Sequence, residues 1–183
     1  MRRLALLALP LTLAACSNEA DTPDAPAAEE TVAAEPMDEA TLDLQADGIN
    51  IPAQNGFEQL SVPFGSARAA TEATLAAVLG EETGRSAQDE CPVGPVMTTE
   101  YEGLTLTFQN DQFAGYMARA PYVPELTRAE MVADPMVTLV EGSTLGDEFM
   151  IGSEDAVISG LFASEGDGAA VETLWAGANC IAR

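Results

Sequence analysis

Paired carboxylates are the groups in this sequence whose type and spacing come nearest to chemistry: Glu81/Glu82, Asp89/Glu90, Asp147/Glu148 and Glu154/Asp155. Two carboxyl groups held a few ångströms apart can divide the roles of general acid and base, as in glycoside hydrolysis, or chelate a hard cation. With 20 acids between residues 48 and 183, such pairs arise by number alone, and a solvated loop explains each one. None has the Asp-x-Asp-x-Asp-Gly spacing of an EF-hand loop, and Glu165-Gly166-Asp167-Gly168 offers at most weak Ca²⁺ contact. The chain has no His, which excludes a Ser-His-Asp triad, and no Ser sits in Gly-x-Ser-x-Gly. Zinc finds no imidazole and no clustered Cys. One Trp and few other aromatics leave little to grip a sugar. These features point away from an enzyme, and no catalytic residue, metal or cofactor is assigned. A His-free hydrolase running on paired carboxylates is the enzymatic alternative.

The elements that would position a site begin late in the chain. Residues 16–47 are rich in Ala, Glu, Asp, Pro and Thr and poor in long apolar side chains, so they read as a disordered linker. Residues 48–183 read as one globular α+β domain. Leu42, Leu44, Ile49 and Ile51 alternate around Asp47-Gly48, as in a first strand or extended arm. Phe57, Leu60, Val62 and Phe64 lead to Gly65-Ser66, with Ser66 as the expected N-cap of a helix over 67–79 that stops at Gly80. Residues 81–90 read as a polar loop and Cys91-Pro92-Val93-Gly94-Pro95 as a rigid turn. Leu104, Leu106 and Phe108, then Phe113 to Arg119, predict a β-hairpin turning at Asn110-Asp111, because both residues tolerate positive φ.

Thr127-Arg128-Ala129-Glu130 is a capping box, with Leu126 and Met131 placed for a staple, and its short helix must end before Pro135. Residues 137–140, 145–151, 157–162 and 171–176 read as strands. Two halves, about 57–120 and 124–183, each put a helix before strands. The expected fold is therefore short helices on antiparallel sheet in a tandem or pseudo-repeated α+β domain. Phe113, Tyr116 and Tyr122 form either an exposed binding face or a buried one. Trp175 reads as a core residue or one packed on a disulfide.

Met1-Arg2-Arg3 is a basic start, followed by the apolar run Leu4 to Ala15, interrupted by Pro10 and Thr12. As helix it spans roughly 18 Å, too short for a hydrocarbon core of about 30 Å, so it is a targeting segment. Leu13-Ala14-Ala15-Cys16 resembles the lipobox of bacterial lipoproteins. That resemblance implies a thioether-linked diacylglycerol on Cys16, removal of residues 1–15 and acylation of the new amino terminus. Lipid chains on Cys16 would anchor the protein stably to a membrane. Ser17, where Asp would mark inner-membrane retention, resembles an outer-membrane address.

With Cys16 lipidated, Cys91 and Cys180 remain as an even pair in an oxidising compartment, and a bridge between them would pin the carboxyl end to the body. The chain has 30 acidic and 7 basic residues, all of the latter Arg, which excludes nucleic acid as a partner. Such acidity reads first as solubility.

Gly65-Ser66, the following helix and Val78-Leu79-Gly80 resemble the helical motif of the small lipoprotein of the outer-membrane β-barrel assembly machinery, although the gap here is longer. The tandem pattern is similar to the β-lactamase-inhibitor-protein fold. Neither resemblance carries over a functional residue. The expectation is a lipid-anchored, periplasm-facing envelope protein that binds another protein or the cell wall, or inhibits an envelope enzyme through a loop such as Asn110-Asp111.

Overall fold

A computed structural model describes residues 41–54, 56, 58–153 and 156–182. The described residues start with β1 (Asp43–Gln45), β2 (Gly48–Ile51) and β3 (Leu60–Pro63), which pair antiparallel in that order as a small sheet. Alternation buries Ile49, Ile51 and Val62, and the side chains of Leu42 and Leu44 pack against the same core. Folded chain therefore begins inside the range read as linker, because these two leucines have a core to enter.

Helix α1 (Arg68–Leu79) buries Thr71, Leu75 and Val78, one stripe of an Ala-rich segment. Ser66 is not its cap. The N-cap is Ala67, which makes no side-chain bond, while the Ser66 hydroxyl donates to the Pro63 carbonyl at 2.7 Å. The helix stops at Gly80, whose φ of 84° suits glycine and whose N–H reaches the Ala76 carbonyl at 3.0 Å.

The remaining strands form one antiparallel sheet. They are β4 (Gly84–Gln88), β5 (Val96–Tyr101), β6 (Leu104–Gln109) and β7 (Gln112–Ala118), then β8 (Val137–Leu139), β9 (Glu148–Ser153), β10 (Ala156–Phe162) and β11 (Val171–Gly177). Helix α2 (Arg128–Val132) precedes β8, with both arms of the Thr127/Glu130 capping box formed; Met131 is buried but Leu126 is exposed. The order β4-β5-β6-β7-β11-β10-β9-β8 joins two four-stranded meanders through their last strands. Sheet dominates the fold, which corrects the helix-packed α+β expectation: α2 has only 5 residues. Strand β4 lies where a polar loop was expected. Its Gly84, Arg85, Ser86 and Gln88 carry no strand signal, and β5 pairs with it through backbone bonds and a 2.7 Å Ser86–Thr98 hydroxyl contact.

The meanders share details beyond strand count. On β7 an extra residue, Ala114, interrupts the register, since Thr107 faces Gly115 while Phe108 faces Phe113. On β11 the extra residue is Glu172, since Leu161 faces Thr173 while Phe162 faces Val171. Arg68 N–H bonds the Asp111 carbonyl at 2.9 Å, and Arg128 N–H bonds Ala169 at 2.7 Å. Arg68 lies over the Phe108 ring at 5.2 Å, and Arg128 over Phe162 at 5.9 Å.

Each half has its own buried cluster under the sheet, and Leu44 and Ile158 pack against both. In the second half Phe149 and Phe162 stack at 4.4 Å. Gly160 makes room for this, because a Cβ there would strike the Phe149 ring and Leu174.

Helix α1 is held to the sheet by Glu72. Its carboxylate accepts from Thr99 Oγ1 at 2.6 Å and Arg68 Nε at 2.8 Å, with Arg85 at 3.2 Å. Desolvation alone would raise its pKa, but the Thr99 and Arg68 hydrogen bonds and the Arg68 and Arg85 charges outweigh it and lower the value. A lowered folded pKa contributes stability above the ordinary carboxylate value of 4.5, lost as pH falls through the folded value. Urea unfolding followed from about pH 5 down to about pH 3 should therefore show a smaller loss of stability in Glu72→Gln than in the wild type. Parallel losses in the two proteins would contradict this role.

Candidate functional site

Alternation along the strands decides which face of the large sheet is covered. Thr99 and Tyr101 reach Glu72 on α1, so the 97/99/101 side of β5 lies under the helix and Val96, Thr98 and Glu100 face away. Register carries this outer face across all eight strands. One row reads Gly84, Glu100, Thr105, Met117, Trp175, Ser159, Met150 and Thr138, each paired directly with the next. Met117 opposite Trp175 lies at the seam of the two meanders.

The charge of this face differs from that of the chain. From residue 41 onward there are 22 acidic residues, yet among the described strand residues that alternate onto the outer face the ionisable ones are Glu100 and Glu148, joined by Glu172 at the β11 bulge and by Arg119 just past the end of β7. Glu148 is buried and accepts from the Ser143 hydroxyl at 2.6 Å. Glu100 is exposed at the β4 margin, above Gly84. Arg119 is exposed, with Nε at 3.5 Å from Thr173 Oγ1. Arg68, Arg85 and Arg128 form ion pairs; among the described arginines Arg119 does not.

A strap crosses one end of the face. After Gly177 (φ 72°) the chain turns, and Ala178 N–H bonds the Ala114 carbonyl at 2.8 Å. Asn179 accepts from Thr107 Oγ1 at 3.2 Å and donates to the Ala176 carbonyl at 2.9 Å. Cys180 then bonds Cys91, with sulfurs 1.99 Å and Cα atoms 5.0 Å apart. Gln109 holds the Cys91 loop through the Val93 carbonyl at 2.7 Å. The strap lies so close to β7 that a Cβ on Gly115 would strike the Ala178 carbonyl oxygen. Between strap and sheet lies a cleft of about 330 Å³ with Val93, Val157, Ser159, Trp175 and Ile181 in its lining. Trp175 is 6% exposed and half-buried Met117 stands beside it.

The other residues singled out by sequence are dispersed. Cys16 lies outside the described residues, as do Glu154 and Asp155. Glu82 pairs with Arg85 and Asp147 with Arg128, and each ion pair accounts for the carboxylate locally. Asp89 and Glu90 stand beside Cys180 without an aromatic neighbour in that depression. Among the described residues, no carboxylate lines the cleft at Trp175. Among the described residues, no group of three or more His, Cys, Asp or Glu is placed to hold a metal ion.

Phe113 and Tyr116 are not an exposed binding face. They are 1% and 0% exposed in the core, and burial pushes the Tyr116 phenol far up, with Asp43 and Asp47 adding to the shift. The Asn110-Asp111 turn has the expected positive φ values of 52° and 58°, but the Asp111 carbonyl ties it to the start of α1. What sequence reading missed is the partnership of Met117, Ser159 and Met150 with Trp175. Alternation within each strand places them on one face, but their alignment requires the seam between the meanders.

Comparisons with protein-family models, curated proteins and solved structures found no match.

The Cys91–Cys180 bond spans 89 positions and fastens the strap that flanks the cleft. Replacing both cysteines by Ser should lower the unfolding free energy by about 4–5 kcal/mol in the chain-entropy account, read from the denaturant midpoint. A change below about 1 kcal/mol would mean that the bridge constrains little.

Proposed function

We propose that this protein is a lipid-anchored, periplasm-facing envelope protein, held at the outer membrane through Cys16, that binds a protein partner on the outer face of its large sheet. The observation that carries the binding part is charge depletion. An open sheet face in so acidic a domain would be expected to carry carboxylates, yet apart from Glu100 at its margin the central row carries Gly, Thr, Met, Trp and Ser, with Trp175 buried and Met117, Ser159 and Met150 partly buried. Interface cores lose charged residues and are enriched in aromatics, Met and Arg. Trp175, Met117, Met150 and Arg119 fit that composition, and the cleft offers a pocket for one anchoring side chain.

The two meanders are read as copies of one helix-plus-four-strand unit. Support comes from the matched bulges, the matched Arg–Phe contacts, and the positions of Met117 and Trp175 as each other's counterparts across the seam. The contact surface then belongs to the fused pair, because each unit alone would provide half of the row.

The anchoring part rests on the lipobox resemblance and has its own test. Mass spectrometry of the protein from its native envelope should give an amino-terminal fragment beginning at acylated Cys16; a fragment beginning at Met1, or without acyl mass, would remove the anchor. For the binding part, a soluble form lacking residues 1–16 is used as bait in envelope extract. It should retain a partner at one-to-one stoichiometry, whereas Met117→Glu and Ser159→Glu should reduce retention at least about tenfold, since a buried unpaired charge at an interface costs 2–5 kcal/mol. Both substituted positions are half-exposed, so their unfolding midpoints should stay close to wild type. Undiminished retention by both variants would place the contact elsewhere.

A further inference from the structure

We infer that the occupant of the outer face is a cationic protein segment, apolar where it meets Met117, Trp175 and Met150 and carrying Lys or Arg where it meets the surrounding carboxylates. This rests on the outer face being the contact surface and adds the chemistry of what covers it. Asp89 and Glu90 lie in the β4–β5 loop beside Cys180, Glu102 in the β5–β6 turn, Glu141 between β8 and β9, and Glu172 at the β11 bulge. All are exposed, as is Glu100 at the face's margin, and none has an ion pair among the described residues.

Among the described residues three of the four guanidinium groups are already paired with other carboxylates, so these charges are left without an internal counterion there. Charge-poor strands whose margin and connecting loops carry unpaired carboxylates have the composition of an interface with a dry centre and charged surroundings. A cationic partner is drawn toward such surroundings, whereas a second copy of this acidic chain, an anionic lipid surface or a nucleic acid is repelled. Arg119 sets one local exception: opposite it the partner presents an acceptor rather than another cation.

Trp175, the chain's one Trp, reports directly from this face. The soluble form lacking residues 1–16 is titrated with three short synthetic peptides of equal length: alternating Lys and Leu, alternating Glu and Leu, and Lys alone. The Lys–Leu peptide should shift Trp175 emission at one-to-one stoichiometry and weaken at least about tenfold between roughly 10 mM and 500 mM salt. Met117→Glu should abolish the shift, although added negative charge would tighten purely electrostatic attraction, and Ser159→Glu should do the same. Equal or tighter binding of the Glu–Leu peptide would overturn the cationic assignment. An equal emission shift from Lys alone, or a Lys–Leu shift undiminished in both variants, would overturn the role of the apolar centre. Absence of any Lys–Leu shift, in a protein that still retains its envelope partner through Met117 and Ser159, would overturn this inference and leave the contact surface standing.

Discussion

The pairing of β7 with β11 is the interaction on which the rest of the structure depends. Each meander alone has a last strand with unpaired N–H and C=O groups, and an isolated four-stranded sheet with such an edge invites association. Joining the two last strands satisfies both edges and sets Met117 against Trp175. It also makes one continuous sheet above two buried clusters, so that the outer face has a centre. The free edges move to β4 and to the 3-residue β8, the shortest strand of the large sheet.

The seam explains the division of labour between the faces. Large apolar side chains sort to the inner face, where α1, α2 and the small sheet cover them. Trp175 apart, the outer face keeps small and mid-sized side chains, and Gly115 leaves space for the strap to cross. The disulfide then fastens the carboxyl-terminal strap to the far meander, so one covalent bond supports the wall of the cleft at Trp175. Residues 178–181 thus shape the part of the face that holds the cleft at Trp175.

Much of the fold was legible because it is locally encoded. The Thr127/Glu130 box, Gly80 as helix stop and the Asn110-Asp111 turn depend on residues a few positions apart, and each forms as its chemistry dictates. Strand β4 was not legible because its residues carry no preference and a neighbour imposes the conformation. Ser66 is not the cap because the helix starts one residue later: Ala67 bridges Gln112 and takes the N-cap position, while the Ser66 hydroxyl turns back to the Pro63 carbonyl. The candidate site was illegible for a different reason: Met117 and Trp175 are far apart in sequence and meet only through tertiary register. Aromatic type drew attention to Phe113 and Tyr116, which the fold uses as core.

The central claim, that a partner covers the outer face in the envelope, is most directly tested by methionine oxidation. Met117 and Met150 lie on that face, while Met97 and Met136 are 36% and 49% exposed elsewhere and serve as internal references. Peroxide-limited oxidation is compared between the isolated soluble domain and the native protein in intact envelopes, with each sulfoxide quantified by mass spectrometry. Met117 and Met150 should be oxidised in the isolated domain and protected in the envelope, with Met97 and Met136 oxidised alike in both. Equal oxidation of Met117 and Met150 in the two settings would mean that nothing covers the face, and the account would fail.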